Sequence, residues 1–402
     1  MALLAVRVLT INCGSSTLKF DVIDVEADAL KRAARGAIER IGQQATMWLE
    51  TGGKRVTHDV DAPDYEDAVG TAVSLLKHSG LDGDFDAVVH RVVHGGPNLH
   101  DAIVIDDEVI RAVEAATELA PLHNAPALAA IRAARGIFRG DTPEIAAFDT
   151  AFFADLPPVA REYALPLDVR ERMKIRRYGF HGLAHRYMVE RYQALRPDVA
   201  APRLITLQLG SGCSITASRG GRPLDTSMGY TPLEGLIMGT RSGDIDPMLP
   251  LRLIEQGGMT TGEVEALLNG KSGLLGLSGR SNDMRDLEQA ALEGDASAAL
   301  AIDAFCYRIR KYIGAYQAVL GGCDAIVFGG GIGERSARVR REICEPLAWC
   351  GIRLDTGHNT QLGDDDAFIT AAGAQVDVLV AHVDEAAVIA RDAFRALQRP
   401  NG

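Results

Sequence analysis

Apolar positions along the chain recur with two spacings, and the two alternate from one end to the other. Short β-branched runs predict strands, and segments with apolar residues three and four positions apart predict helices. The predicted strands cover residues 6–12, 18–24, 86–93, 144–149, 204–209, 214–218, 324–328 and 376–380. The predicted helices cover residues 107–119, 125–138, 298–320, 334–349 and 384–397. Alternation of this kind is typical of an α/β fold.

Two predicted hairpins resemble each other and lie about half the chain apart. The turn of the first reads NCGSST from Asn12, and the turn of the second reads LGSGCS from Leu209. Such a repeat is the pattern of a duplicated fold, but glycine and serine are also common in the turns of unrelated hairpins. The residues alone leave both interpretations open. A proline-rich break at residues 155–159 predicts a domain boundary.

Composition excludes several classes of protein. The 402 residues include 54 acidic and 42 basic side chains, a net charge of −12, and 47% are hydrophobic. We therefore expect a globular protein of two or three domains with no nucleic-acid or membrane partner. No apolar run approaches the roughly 20 residues of a membrane span. The N-terminus lacks a signal-peptide pattern, and the six cysteines form no CxxC, so we expect reduced thiols and a cytoplasmic location.

Glycine is over-represented, with 42 residues, and it concentrates in predicted turns. A hairpin tip of Gly, Ser and Thr exposes backbone N–H groups and hydroxyls, which suit phosphate oxygens. Lys19 adds a positive charge just past the turn of the first hairpin, and a third glycine-rich loop, 329–333, lies between a strand and a helix. Together the three loops favour a nucleotide bound between domains, whereas each alone is more typical of a turn. Glu265 stands where a P-loop requires glycine, and Glu334 stands where a Rossmann fingerprint requires glycine. The predicted nucleotide site therefore belongs to a different architecture.

The remaining candidates for chemistry are cations and carboxylates. They are Arg91, His181, Arg241, Asp149 and Glu385. Phosphoryl transfer needs positive groups around the migrating phosphoryl and a metal held by oxygen atoms, which these residue types supply. Singly, such residues are more often salt-bridged or cap helices.

Several motifs together resemble the acetate kinase family. They include HRVVHGG, FDTAFF, RRYGFHG, SNDMRD and GGGIGERS, and the long segment DTSMGYTPLEGLIMGTRSGDIDP is the most specific. They occur in the family's order over nearly the whole chain. The resemblance implies an α/β protein of two duplicated ribonuclease-H-like (actin-like ATPase) domains with an interdomain active-site cleft. The first would comprise residues 1–152 with the C-terminal helix 388–402. The second, residues 153–387, would bind the nucleotide and form a homodimer.

The resemblance also implies a role for each matching residue. Arg91 would bind the acetate carboxylate and Asp149 would polarise it, while His181 and Arg241 would stabilise the transferring phosphoryl group. Asn12 and Glu385 would hold Mg²⁺, with Mn²⁺ as the alternative ion. The pocket for the acetate methyl would be formed by Val93, Leu122, Phe180 and Pro232. ATP or ADP would contact Lys19, Gln208, Leu209, Gly210, Ser211, Gly212, Asp283, Met284, Arg285, Gly331, Ile332, Gly333, Glu334 and Arg335.

The implied reaction is reversible, magnesium-dependent and direct in-line transfer of a phosphoryl group from ATP to acetate, giving acetyl phosphate and ADP. Three positions depart from the family pattern, because Gln208, Ser211 and Arg335 stand where His, Asn and Asn are usual. The alternatives are therefore a kinase that prefers propionate or butyrate, a pyrophosphate-dependent kinase, or a non-catalytic nucleotide-binding switch. The catalytic residues argue against the switch, since it has no need of a carboxylate pocket.

Overall fold

The structure is a computed structural model that describes residues 5–14, 16–26, 29–81, 85–138 and 142–398. Its strands are β1 (Ala5–Cys13), β2 (Thr17–Glu26), β3 (Leu30–Glu39), β4 (Ala45–Thr51), β5 (Lys54–Val60), β6 (Ala87–Val92), β7 (Ile103–Val104), β8 (Glu144–Phe148), β9 (Arg203–Leu209), β10 (Cys213–Arg219), β11 (Arg222–Thr226), β12 (Ala325–Gly329), β13 (Ala367–Phe368) and β14 (Asp377–Val380).

Its helices are α1 (Tyr65–His78), α2 (Asp107–Ala116), α3 (Pro121–Ile137), α4 (Pro158–Arg161), α5 (Leu167–Met173), α6 (Gly182–Leu195), α7 (Met248–Glu255), α8 (Thr261–Gly270), α9 (Gly273–Ser278), α10 (Met284–Leu292), α11 (Ala296–Leu320), α12 (Gly330–Arg335), α13 (Ala337–Cys344), α14 (Thr356–Thr360) and α15 (Glu385–Gln398). Short 3₁₀ segments cover Thr117–Leu119, Ala151–Phe153 and Glu345–Cys350. Within the described ranges, no helix is both long and apolar enough to cross a bilayer.

The chain divides into two compact units. Unit 1 comprises the chain up to Ala154 and the segment from Asp384 onwards, and unit 2 comprises Asp155–Val383. The predicted division assigns residues 153–154 and 384–387 to the second domain, whereas the structure groups them with unit 1. For the C-terminal segment the reason is that α15 begins at Glu385 and packs against β1, β2, β6 and β8. Residues 1–4 and 399–402 of the predicted first domain lie outside the described residues.

The sheet of unit 1 has the order β5-β4-β3-β2-β1-β6-β8-β7. Neighbours from β1 to β5 run antiparallel, and β6 and β8 run parallel to β1. All five residues of β8 and all but one of β6 are buried, as expected for parallel strands covered on both faces. Helix α3 packs against β1 and β6, as α15 does.

The sheet of unit 2 has the order β11-β10-β9-β12-β14-β13. Strands β9, β10 and β11 form antiparallel pairs, and β12 and β14 run parallel to β9. The strands β3-β2-β1-β6-β8 of unit 1 have the same order and directions as β11-β10-β9-β12-β14. The two glycine-serine hairpins thus occupy equivalent places in two copies of one topology. This confirms the predicted α/β fold class and favours duplication over two unrelated hairpins.

All six cysteines are free thiols, and five of them are buried. Burial raises the pKa of Cys13 and of Cys213, the two cysteines of the hairpin turns, to about 12. A thiol with so high a pKa is almost wholly protonated at neutral pH and therefore a poor nucleophile. Both cysteines act as small buried side chains.

Candidate active site

In unit 1, three polar side chains lie at the carboxyl ends of neighbouring strands. Asn12 lies near the end of β1 and is in register with Arg91 on the parallel strand β6. Asp149 directly follows β8, the next parallel strand. Because carboxyl ends of parallel strands share one edge of a sheet, the topology brings these residues together.

Arg91 is held between two carboxylates. Its Nε donates to Asp149 Oδ1 at 3.0 Å and its Nη2 to Asp149 Oδ2 at 2.7 Å, which makes a bidentate pair. Its Nη1 donates to Glu385 Oε2 at 2.8 Å and to Asn12 Oδ1 at 3.4 Å. The Asp149 side chain is only 1% exposed. One cation and two carboxylates give this cluster a net negative charge.

The ionisation of the cluster follows from its burial. Burial disfavours the charged guanidinium, but the carboxylates of Asp149 and Glu385 outweigh this effect and raise the pKa of Arg91. Burial, together with the charge of Asp149, raises the pKa of Glu385, although Arg91 and Lys19 oppose the shift. The influence of Lys19 reflects its position, since it lies opposite Asn12 on β2.

Oxygen atoms available to a metal are few. Among the described residues, no group of three or more His, Cys, Asp or Glu side chains is arranged to hold a metal ion. Glu385 and Asn12 offer one carboxylate and one amide, and Asn12 Nδ2 lies 3.4 Å from Glu385 Oε2. Mg²⁺ is commonly held by one or two carboxylates together with substrate phosphates, so these residues fit that ion.

The loop after β6 carries Val93 and is fixed by a buried amide. Asn124 Oδ1 accepts from His94 N at 3.0 Å, and Asn124 Nδ2 donates to His94 O at 2.9 Å. Gly95 N donates to Thr150 Oγ1 at 3.1 Å. Val93 is half-buried in this loop, whereas the side chain of Leu122, predicted as its partner, lies outside the described residues.

In unit 2, the turn of the β9–β10 hairpin lies against two predicted catalytic side chains. A Cβ atom at Gly212 would lie 3.3 Å from His181 Cε1 and 3.6 Å from Arg241 Nη1. Glycine therefore lets the backbone of the turn approach both side chains. Arg241 Nη1 donates to Pro232 O at 3.3 Å, which places Pro232 beside the guanidinium. Burial lowers the pKa of Arg241.

His181 has an uncommon backbone conformation. It precedes α6 with φ of 58°, in the left-handed region that non-glycine residues rarely adopt. Its Nδ1 lies 2.9 Å from Ser214 Oγ, and Phe180 before it is buried. The sequence indicates no role for Ser214 beyond its place in the hairpin. The contact depends on the pairing of distant segments.

A cavity of about 370 Å³ lies beside the same hairpin. Its volume is in the range of small-molecule sites. Its lining comprises Gly210, Ser211, Asn282, Asp283, Met284, Arg285, Glu288, Gly331, Ile332, Arg335 and Ser336. Eight of these residues are among the predicted nucleotide contacts. Asn282, Glu288 and Ser336 also line the cavity but were not predicted from the sequence. Their position within a few residues of the predicted motifs is the sequence signal that could have identified them.

Buried side chains hold the cavity wall from behind. Arg340 is 1% exposed, and its Nη1 donates to the carbonyls of Gly333 and Glu334, both at 2.8 Å. Burial lowers the pKa of Arg340 to about 10. The Glu334 carboxylate accepts from Gly330 N at 2.9 Å. Gly333 and Glu334 therefore support the wall through these hydrogen bonds without lining the cavity.

Gln208 lies where two glycine-rich loops meet. It is opposite Ser214 on β10 and in register with Gly329 on β12, while Leu209 after it is buried. Gly330 has φ of +75°, and a Cβ there would lie 3.0 Å from Gln208 Nε2. Gln208 Oε1 is buried without a hydrogen-bond partner among the described residues. The amide is therefore confined by the two loops and retains hydrogen-bonding capacity.

A duplicated α/β fold with Arg241 and His181 against a glycine-rich hairpin turn, beside a ligand-sized cavity, is the arrangement expected of a phosphotransferase. A family model described as the Acetokinase family matches residues 7–391. The acetate kinase of Heliobacterium modesticaldum is 44% identical over 400 residues, which cover 97% of this chain and 99% of that protein. The chain belongs to the acetokinase family.

Solved structures agree with this assignment. The crystal structure of Porphyromonas gingivalis acetate kinase is similar with a TM-score of 0.89 at 38% identity, covering 98% of this chain and 100% of that one. A propionate kinase from Francisella tularensis has a TM-score of 0.90 at 34% identity, covering 98% of this chain and 99% of that one. These relatives cover nearly the whole chain, so both units are shared.

Proposed function

We propose that this protein is an acetate kinase, which catalyses acetate + ATP ⇌ acetyl phosphate + ADP. The observation that carries the proposal is the cluster in unit 1, where Arg91 lies between Asp149 and Glu385. A guanidinium with a fixed orientation suits the planar carboxylate of the acceptor. The named relatives support acetate as the acid, since one is an acetate kinase at 44% identity.

The residues of unit 1 act on the acceptor. Arg91 binds the acetate carboxylate, and Asp149 orients it for attack on the γ-phosphorus. Asn12 and Glu385 would hold magnesium, with manganese as the alternative ion, which would supply positive charge beside the phosphates. Lys19, exposed on β2, adds positive charge for the nucleotide phosphates.

The residues of unit 2 act on the donor. Gly210, Ser211 and Gly212 form the turn that binds the phosphates. The N–H of Gly210 donates to Gly212 O at 3.1 Å, so the backbone N–H groups of Ser211 and Gly212 bind the phosphate oxygens, and the cavity takes the adenosine. His181 and Arg241 donate hydrogen bonds to the oxygens of the transferring phosphoryl group, where negative charge must be stabilised. The acid attacks the γ-phosphorus directly and in line with the departing ADP.

Val93 is proposed to limit the length of the acid. Val93→Ala should therefore raise kcat/KM for propionate and butyrate relative to acetate, since one methylene in an apolar pocket is worth about 1–3 kcal/mol. Kinetics with the three acids measure the ratio, and Val56→Ala on β5, an exposed valine of unit 1, is the control. An acid preference equal to that of the control variant would show that Val93 does not contact the acid.

Gln208 and Ser211 are proposed to contact the donor. Replacing them by His and Asn, the usual residues of the family, should change the KM for ATP or kcat several-fold, because one neutral hydrogen bond is worth about 0.5–1.5 kcal/mol. The KM for acetate should hardly move, since acetate contacts other residues. A changed acetate KM with an unchanged ATP KM would assign the two residues to the acceptor instead.

Acetyl phosphate formation should be assayed with each donor and each acid. We expect activity with ATP and acetate and favour ATP because most of the cavity lining matches the family's adenosine site. Synthesis with pyrophosphate and none with ATP would show that pyrophosphate is the phosphoryl donor. A preference for propionate would show that propionate is the acid substrate. No phosphorylation with any pair, despite nucleotide binding, would support a non-catalytic switch.

We further propose a cytoplasmic homodimer formed through unit 2. Helix α7 supports this proposal, because Met248, Leu249 and Leu251 are each about half exposed and none of its residues is buried. Contiguous exposed apolar residues are typical of subunit interfaces. Sedimentation of the purified protein would distinguish a dimer from a monomer.

A further inference from the structure

A row of hydrogen-bonded side chains leads from the core of unit 2 to His181. Thr206 Oγ1 lies 2.7 Å from His185 Nδ1, and His185 Nε2 lies 2.7 Å from Ser214 Oγ. Ser214 Oγ in turn lies 2.9 Å from His181 Nδ1. Thr206, His185 and Ser214 have no exposed surface. Water is therefore not available as an alternative partner for the inner members of the row.

The secondary structure explains why these four side chains meet. Thr206 pairs with Thr216 and Gln208 with Ser214 across the antiparallel β9–β10 ladder, so Thr206 and Ser214 lie on the same face of the hairpin. His181 and His185 are four residues apart at the start of α6, so they lie on one face of that helix. Helix α6 packs against β9, which brings the two faces together.

The protons in this row can be arranged in two ways if Ser214 both donates and accepts. A third arrangement, in which both imidazoles donate to Ser214, would leave its buried hydroxyl hydrogen without an acceptor among the described residues. Burial, together with the charge of His181, lowers the pKa of His185 well below its ordinary value, so at neutral pH His185 carries a single N–H. In the first arrangement Thr206 donates to His185, His185 to Ser214, and Ser214 to Nδ1 of neutral His181. In the second arrangement every donor and acceptor is reversed.

Thr206 distinguishes the two arrangements. Its hydroxyl has His185 Nδ1 as its one hydrogen-bond partner among the described residues. In the second arrangement His185 would donate to Thr206, and the buried hydroxyl hydrogen of Thr206 would have no acceptor. Buried donors without acceptors are costly and rare, so the first arrangement is favoured.

We propose that Ser214, oriented by His185 and Thr206, is a positioning residue that keeps the proton of neutral His181 on Nε2. Nε2 is directed towards the phosphate hairpin, since a Cβ at Gly212 would lie 3.4 Å from it. With its proton there, His181 donates a hydrogen bond to a phosphoryl oxygen; with the proton on Nδ1, Nε2 would turn a lone pair to that anionic oxygen. The inference rests on the proposed role of His181 and explains how the fold prepares it.

The tautomer can be measured without turnover. ¹⁵N-histidine NMR of the full-length protein, without substrates, reports which ring nitrogen carries the proton. A His181→Gln variant identifies the signals of His181 among those of the 10 histidines. At a pH where His181 is neutral, we expect a protonated Nε2 and a bare Nδ1. A proton on Nδ1 would overturn the proposal whatever the activity of the enzyme.

Kinetics of matched serine variants test the role of Ser214 itself. Ser214→Ala should lower kcat about fivefold to tenfold while the KM for each substrate stays within twofold, because the lost contact acts on the transition state. Ser218→Ala is the control, since Ser218 is equally buried on the same face of β10 and its hydroxyl has no hydrogen-bond partner among the described residues. Equal kcat values for the two alanine variants would overturn the proposal.

Two further measurements separate the possible failures. Ser214→Thr keeps the hydroxyl and should restore most of the kcat that Ser214→Ala loses; a threonine variant as slow as the alanine variant, with an unchanged unfolding midpoint, would count against the proposal. If Ser214→Ala does not fold, the kcat of Ser214→Thr and the ¹⁵N-histidine spectrum of the unmodified protein test the proposal instead. Full activity of His181→Gln would refute the proposed function of His181, whereas the spectrum still tests the hydrogen-bonded row.

Discussion

Replacing Arg241 by alanine is expected to lower kcat for acetyl phosphate synthesis about a thousandfold while the protein keeps its fold. The guanidinium lies against Gly212 and is half-buried, so its charge is screened less by water than that of a surface residue. Arginine residues that stabilise a transferring phosphoryl group contribute about 10³ or more to turnover. Coupled assays of acetyl phosphate formation measure this loss.

The control for Arg241→Ala is Arg395→Ala. Arg395 lies on α15, is 58% exposed and pairs only weakly with Asp392 at 3.6 Å, so its loss should leave kcat unchanged. Circular dichroism and the midpoint of thermal unfolding show whether each variant is folded. A folded Arg241→Ala protein with the turnover of the control would show that Arg241 has no part in the transfer.

Arg91→Ala is expected to lower both turnover and stability. Turnover should again fall about a thousandfold, because the acceptor carboxylate loses its cation. In addition, the variant removes the cation from the buried carboxylate of Asp149 and from the partly exposed one of Glu385, and breaking a buried ion pair such as Arg91–Asp149 costs about 3–5 kcal/mol. Denaturant unfolding of the variant and of the unmodified protein gives the difference in free energy of unfolding.

The stability loss of Arg91→Ala should depend on pH. Burial already raises the pKa of Glu385, and removing Arg91 takes away the larger of the two cationic influences that oppose the shift. A carboxyl group whose folded pKa exceeds its unfolded value binds more protons in the folded state, so the free energy of unfolding falls as pH rises through that interval. The deficit should therefore be smaller near pH 5 than at pH 7.

Arg91→Lys separates the two effects. Lysine retains the charge but cannot make the bidentate contact to Asp149, so much of the stability should return while turnover stays low. If Arg91→Ala unfolds at the same denaturant concentration as the unmodified protein at both pH values, the ion pairs seen in the structure do not stabilise unit 1.

Features set by local pattern could be predicted from the sequence. Strands β1 and β8 are rich in apolar residues, and the structure has each within one residue of its predicted bounds. Since carboxyl ends of parallel strands meet at one edge, candidate residues at those ends were accessible to prediction. The predicted helix over residues 334–349 is instead interrupted, because the side chain of Ser336 accepts from Val339 N at 3.0 Å and starts a new helix, α13.

Features set by partners far along the chain could not be predicted. Strand β5 is exposed along nearly its whole length, so it carries no alternation of apolar and polar residues to mark it. The contact of Ser214 with two histidines depends on how α6 packs on β9 and β10, and the fixing of the cavity wall by Arg340 depends on the path of the chain between α12 and α13. Neither arrangement leaves a recognisable spacing in the sequence.

The return of α15 to the first sheet has a consequence for synthesis on the ribosome. Unit 2 is one uninterrupted segment, Asp155–Val383, whereas unit 1 needs the segment from Asp384 onwards, which is translated after the whole of unit 2. During elongation, the side chains of β1 and β6 that α15 covers therefore remain uncovered until that helix has been synthesised. Unit 2 can complete its folding first, although its coding sequence comes second. A nascent chain terminated before Asp384 would lack both that helix and Glu385, and it would expose apolar surface that quality-control factors bind.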